Sequence, residues 1–134
     1  MPYELVWYSE PRVILERFSD YVTLDDLTEL SPSVELMLKQ APLDTPIHTL
    51  IDLTSVRIFP TNLVRIRENL SKTETRRGWI ILIVPKGNAL LHFIGAYAAQ
   101  IRSIENRFRV VYTYDDAISI LKAFEPTLNL PIPL

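Results

Sequence analysis

The chain has 134 residues, no cysteine and a formal net charge of −2, with 48% hydrophobic and 22% charged residues. That length suits a single domain with one buried core, and the missing cysteine excludes disulfides, thiol catalysis and cysteine metal ligands. The slight negative charge provides no global attraction to nucleic acid or to an anionic membrane.

So high an apolar share with so few charges leaves apolar surface for a second subunit or a partner to cover. No apolar run is long enough to span a bilayer. The first residues, MPYELVWYSEPR, lack the basic start and long apolar core of a signal peptide. A cytoplasmic location without a membrane span is the expectation.

Residues 3–8 and 12–18 are short, apolar, and rich in aromatic and β-branched side chains, with Ser9-Glu10-Pro11 between them as turn material. They predict an antiparallel hairpin. On its second strand Val13, Leu15 and Arg17 share one face and Ile14, Glu16 and Phe18 the other. Thr23 is a good N-cap, followed by Asp25 and Asp26 in the positive first turn of a helix. Leu24, Leu27, Leu30, Val34 and Leu38 then recur at helical spacing. Pro32 interrupts this run, either as a kink or as the first residue of a second helix capped by Ser31. Pro42 and Pro46 form the link to the next strand.

The stretch IHTLIDLTSVRIFPTNLVRI, residues 47–66, organises the rest. It reads as a strand over 47–53, a short polar turn, Pro60, and a helix over 61–70 with Leu63, Ile66 and Leu70 on its inner face. The unbroken apolar run 79–84 has the character of a central strand covered on both faces. The longest helix is predicted over 88–105. Leu90, Ile94, Tyr97, Ala98, Ile101 and Glu105 form its stripe, and Leu91 and Phe93 widen the apolar arc near its start. A fifth strand over 108–112 leads to a final helix opened by Asp115 or Asp116, with Ala117, Ile120, Leu121 and Phe124 at helical spacing. Pro126 stops that helix, and residues 125–134 form an apolar C-terminal tail. The order is β-β-α-β-α-β-α-β-α in one domain spanning 1–134. This is an α/β fold whose mixed sheet is mostly parallel, has an antiparallel edge and is flanked by helices.

This pattern resembles the STAS/SpoIIAA-like superfamily, whose best-known members are bacterial anti-sigma-factor antagonists. The resemblance covers roughly residues 13–124. It rests on Leu50-Ile51-Asp52-Leu53-Thr54-Ser55-Val56-Arg57-Ile58-Phe59, and on the helix starts Leu24-Asp25-Asp26-Leu27 and Tyr114-Asp115-Asp116-Ala117-Ile118. In the phosphoregulated antagonists an Asp-Ser-Ser-Gly signature follows the third strand, and its first serine is phosphorylated by a partner kinase. Here those positions read Pro60-Thr61-Asn62-Leu63. A hydroxyl survives at Thr61 without the aspartate, second serine or glycine, so this chain is a divergent case.

Five residues stand out as a phosphosite or partner contact: Thr61, Asn62, Asp52, Ser55 and Arg65. A phosphate on Thr61 would lie at a helix N-terminus, whose free N–H groups favour an anion; a plain N-cap hydroxyl explains the same residue. Asp52, with Ser55 and Arg57, is placed at the C-terminal end of a parallel strand, where open α/β sheets bind ligands. The simpler account is a carboxylate bonded to turn backbone. Arg65, Arg67, Lys72, Arg76 and Arg77 are the basic concentration, but Glu68 and Glu74 interleave with them, which fits a solvated face better than nucleic acid. His48 and His92 have no metal-ligand neighbours at useful spacing, and no cofactor motif or metal site is expected. A Ser55–His48–Asp52 triad lacks the nucleophile-elbow context.

Three functional readings follow. The first is a non-catalytic regulatory or protein-interaction module that self-associates as a homodimer, motivated by the apolar tail and by Leu91, Phe93 and Tyr97 as interface residues. The helix over 61–70 is where the resemblance places a protein partner. The second is a small-molecule or lipid-binding module with Trp79, Phe93 and Tyr97 beside an apolar pocket. The third, an enzyme using Asp52, His48 or the arginines, has no constellation with the right spacing.

Overall fold

The computed structural model describes residues 3–42, 45–60, 62, 77–89, 91–92, 96, 107–128 and 130. The helix expected over 61–70, and most of the one expected over 88–105, fall outside these residues. Strand β1 (Tyr3–Ser9) and strand β2 (Val13–Tyr21) form the predicted hairpin, with Trp7 opposite Ile14 and a cis Glu10–Pro11 peptide in the turn. Helix α1 (Leu24–Lys39) starts from Thr23 in a capping box: the Thr23 hydroxyl accepts from Asp26 N–H, and the Asp26 carboxylate accepts from Thr23 N–H. The Pro32 ambiguity resolves to one continuous helix with the proline inside it.

Strand β3 (Ile47–Ile58), strand β4 (Arg77–Ile83) and strand β5 (Phe108–Val111) complete a five-stranded sheet in the order β1-β2-β3-β4-β5. Strands β2 to β5 are parallel, and β1 is the antiparallel edge. Helix α2 (Tyr114–Phe124) follows β5, capped by the Thr113 hydroxyl, which accepts from Asp116 N–H.

Side-chain alternation sends the sheet into two cores. On one face Ile14, Phe18, Ile47, Leu53, Ile80 and Leu82 pack under Leu30, Val34 and Leu38 of α1 and under Leu91. On the other, Val13, Leu15, Leu50, Ile81, Ile83 and Val111 pack under Ala117, Ile118 and Leu121 of α2. Ile80 to Ile83 are all buried, as an apolar strand enclosed between two helical layers must be.

Two expectations change. The polar turn after residue 53 is strand: β3 runs five residues further, with Ser55, Val56 and Ile58 opposite Ser19, Asp20 and Tyr21 of β2. The register shift between Arg17/Asp52 and Ser19/Ser55 marks a bulge that absorbs the extra β3 residue. The described leucines of the apolar tail are also not free surface. Leu128 and Leu130 are 7% and 4% exposed and complete the core beneath α2.

Candidate functional site

The even spacing of His48, Leu50 and Asp52 puts all three on the sheet face beneath α2, and α2 runs back along β3 from Asp52 towards His48. Each end of the helix meets one of these buried polar side chains.

At the N-terminal end of α2, the Tyr114 hydroxyl donates to Asp52 Oδ2. The other carboxylate oxygen of Asp52, Oδ1, accepts from the Thr54 N–H at 2.9 Å and the Thr54 hydroxyl at 2.6 Å. The Thr54 N–H lies at the bulge, so the side chain replaces a ladder acceptor there. Arg17 Nε stands 3.6 Å from Asp52 Oδ2 and Arg17 also reaches Glu4 at 3.5 Å. Burial, then the bond to Asp52, pushes the Tyr114 hydroxyl up to about 12. Tyr8 stacks on Tyr114 with ring centroids 6.3 Å apart and closes the cluster on the β1 side.

At the other end, fully buried His48 is held through both ring nitrogens. Its Nδ1 accepts from the Trp79 N–H at 2.9 Å, which leaves the proton on Nε2 to be donated to Glu125 Oε1 at 2.9 Å. Burial pushes the imidazole below its ordinary value despite the opposing bond to Glu125. Glu125 also takes the Arg12 guanidinium. Burial would raise its carboxyl, but the hydrogen bonds from His48 and Arg12 outweigh that and hold it below the usual range. Gly78 makes room for the ring: a Cβ there would stand 2.3 Å from His48 Nδ1.

No protein-family model matches this sequence, and no curated protein is similar to it in sequence. The solved structure of an uncharacterised DUF3478-family protein with a SpoIIAA-like fold, from Shewanella loihica PV-4, is similar to it. The TM-score is 0.61 at 16% identity, over 89% of this chain and 91% of that one. The fold is SpoIIAA-like.

Within that SpoIIAA-like fold the sequence candidates separate. Asp52 is level with Ile83 and Val111, the last residues of β4 and β5, so it lies at the C-terminal rim of the shared sheet although it sits mid-way along β3. It is 4% exposed and saturated. Ser55 and Arg57 are exposed on the β3 extension and do not join it. Asn62 is exposed just past Pro60, while Thr61 and Arg65 fall outside the described residues. Leu91, expected at an interface, is 2% exposed and belongs to the core beneath α1; Phe93 and Tyr97 fall outside the described residues. Trp79 packs on the opposite sheet face from Leu91, which separates two sides of the expected pocket. His48 and Asp52 share a face, but at about 3.3 Å per residue four positions hold them some 13 Å apart, each with its own partners, so no triad forms with Ser55. His92 is half-buried, with its Nε2 on the Tyr112 hydroxyl.

Sequence reasoning missed Arg12, Arg17, Tyr114 and Glu125 as partners of the buried pair. The available signal was parity: two polar residues on the inward face of an apolar strand require buried partners.

Proposed function

We propose that this chain is a non-catalytic regulatory module that works through protein contacts, built on the SpoIIAA-like fold. The observation that carries this reading is the saturation of His48 and Asp52. General acid–base chemistry needs a group whose proton can reach a substrate. Here the imidazole is occupied at both nitrogens and the carboxylate at both oxygens, by Trp79 and Thr54 of the sheet and by Glu125 and Tyr114, which fasten the two ends of α2 to it. Among the described residues, exposed apolar side chains that offer contact surface include the Tyr21 and Ile58 pair on the β2–β3 extension, Leu36 on α1, and Phe124 at the end of α2. Asn62 begins the surface where the resemblance would set a partner.

Self-association has less support than composition implied, because Leu91, Leu128 and Leu130 are covered by this chain's own elements. Purification of the tagged full chain after in-cell cross-linking, followed by reconstitution with the purified partner, is expected to give a saturable complex. Saturable turnover of a substrate, lost in His48→Asn or Asp52→Asn while the fold is kept, would contradict the proposal. Sedimentation at high concentration decides the homodimer separately.

A further inference from the structure

The start of β5 and the end of α2 bring two arginines and two aromatic rings together on one exposed rim. Arg109 Cζ lies 5.0 Å from the Trp79 ring centroid, and Arg107 Cζ lies 5.2 Å from that of Phe124. The two rings are edge-to-face neighbours at 6.2 Å, and His48 also meets Phe124 edge-to-face at 5.7 Å. Both arginines are exposed, and Phe124 is 41% exposed. Among the described residues neither arginine has a carboxylate within ion-pair distance, and the nearby Glu125 is already taken by Arg12 and His48.

A guanidinium laid over an aromatic ring keeps its N–H edge free and its orientation fixed, which suits bidentate capture of a carboxylate. Arg109 is fixed further, since its Nη1 donates to the Phe108 carbonyl at 3.0 Å. Two cations with no carboxylate partner among the described residues, on a molecule of net charge −2, make a local patch opposite in sign to the whole, which selects for acidic surface and against unselective polyanion binding. The half-exposed Phe124 between them offers apolar contact, and tryptophan with arginine is the composition of binding hot spots.

Resting on the reading of the chain as a protein-interaction module, we infer that the Arg107–Phe124–Trp79–Arg109 rim is a docking surface for an acidic protein segment, with carboxylates flanking an apolar side chain. It lies at the opposite end of the sheet strands from Asp52 and Pro60.

The test is titration of the isotope-labelled full chain with the capped peptide Glu-Glu-Leu-Glu-Glu and with its Gln-Gln-Leu-Gln-Gln analogue, following the Trp79 indole N–H by NMR. The acidic peptide is expected to shift that resonance saturably, with the neutral analogue about tenfold weaker or worse. Arg107→Gln combined with Arg109→Gln is expected to remove the preference while melting as the wild type does. Equal responses to the two peptides, or an unchanged preference in the double variant, would overturn the inference. So would equal competition by inorganic phosphate or a single-stranded oligonucleotide, or a wild-type dimer that the double variant loses. If the double variant still captures the reconstituted partner at full affinity, this rim is wrong while the protein-contact reading stands; if no partner is captured by either chain, the reading itself fails.

Discussion

Gly78 shows how one missing carbon sets the site. The fully buried His48 ring is tied at Nδ1 to the Trp79 N–H and at Nε2 to Glu125, so it has no room to swing away from a new methyl group. A Cβ at position 78 would stand 2.3 Å from Nδ1 and 2.5 Å from Cε1. Gly78→Ala is therefore expected to destabilise the protein by about 1–3 kcal/mol, the usual cost of overpacking, as read by urea unfolding. In a His48→Ala background the same change should cost clearly less, because the two sites share the contact. The roles of His48 and Asp52 were only half legible in the sequence. Parity put them on one face, but their partners come from 77 and 62 positions away along the chain, and no local pattern in a single sequence encodes such pairings.

At the scale of elements the sequence was more legible. Periodicities of two and of three to four, with Thr23 and the acidic helix starts, yielded the hairpin, α1, the strands and α2 within a few residues. The exception is β3. Thr54 and Ser55 have turn chemistry, yet they lie in strand because β2 itself continues to Tyr21 and offers a ladder beyond the reach of β4. Tertiary pairing overrode local preference there. Pro32 is a second local conflict. It sits exposed on α1, one turn past Thr28, and removes an N–H that the Thr28 carbonyl would otherwise accept. Pro32→Ala should stabilise the chain, by up to about 3 kcal/mol, seen as a higher urea midpoint at an unchanged slope. No gain would mean that the packing of the Leu30, Val34 and Leu38 face depends on the proline.

For the whole molecule, the polar groups under α2 define the pH range of stability. Below pH 6.5 an unfolded chain protonates His48, while the buried ring resists the proton, so stability falls with decreasing pH. A second loss begins below 4.5, where the unfolded Glu125 carboxyl protonates before the folded one, held low by His48 and Arg12. On the alkaline side the unfolded Tyr114 ionises from 10.0, whereas the folded hydroxyl keeps its proton to about 12, so stability falls across that interval. Unfolding midpoints should form a plateau between pH 6.5 and 10.0, and His48→Asn should flatten the first acidic decline. A SpoIIAA-like sheet whose interior polar residues hold the helix that follows β5 is the central claim. The double-mutant cycle Asp52→Ala with Tyr114→Phe, read by equilibrium unfolding at pH 7.5, tests it most directly. The account predicts a coupling of about 1–3 kcal/mol between the two residues; independent, additive losses would contradict it.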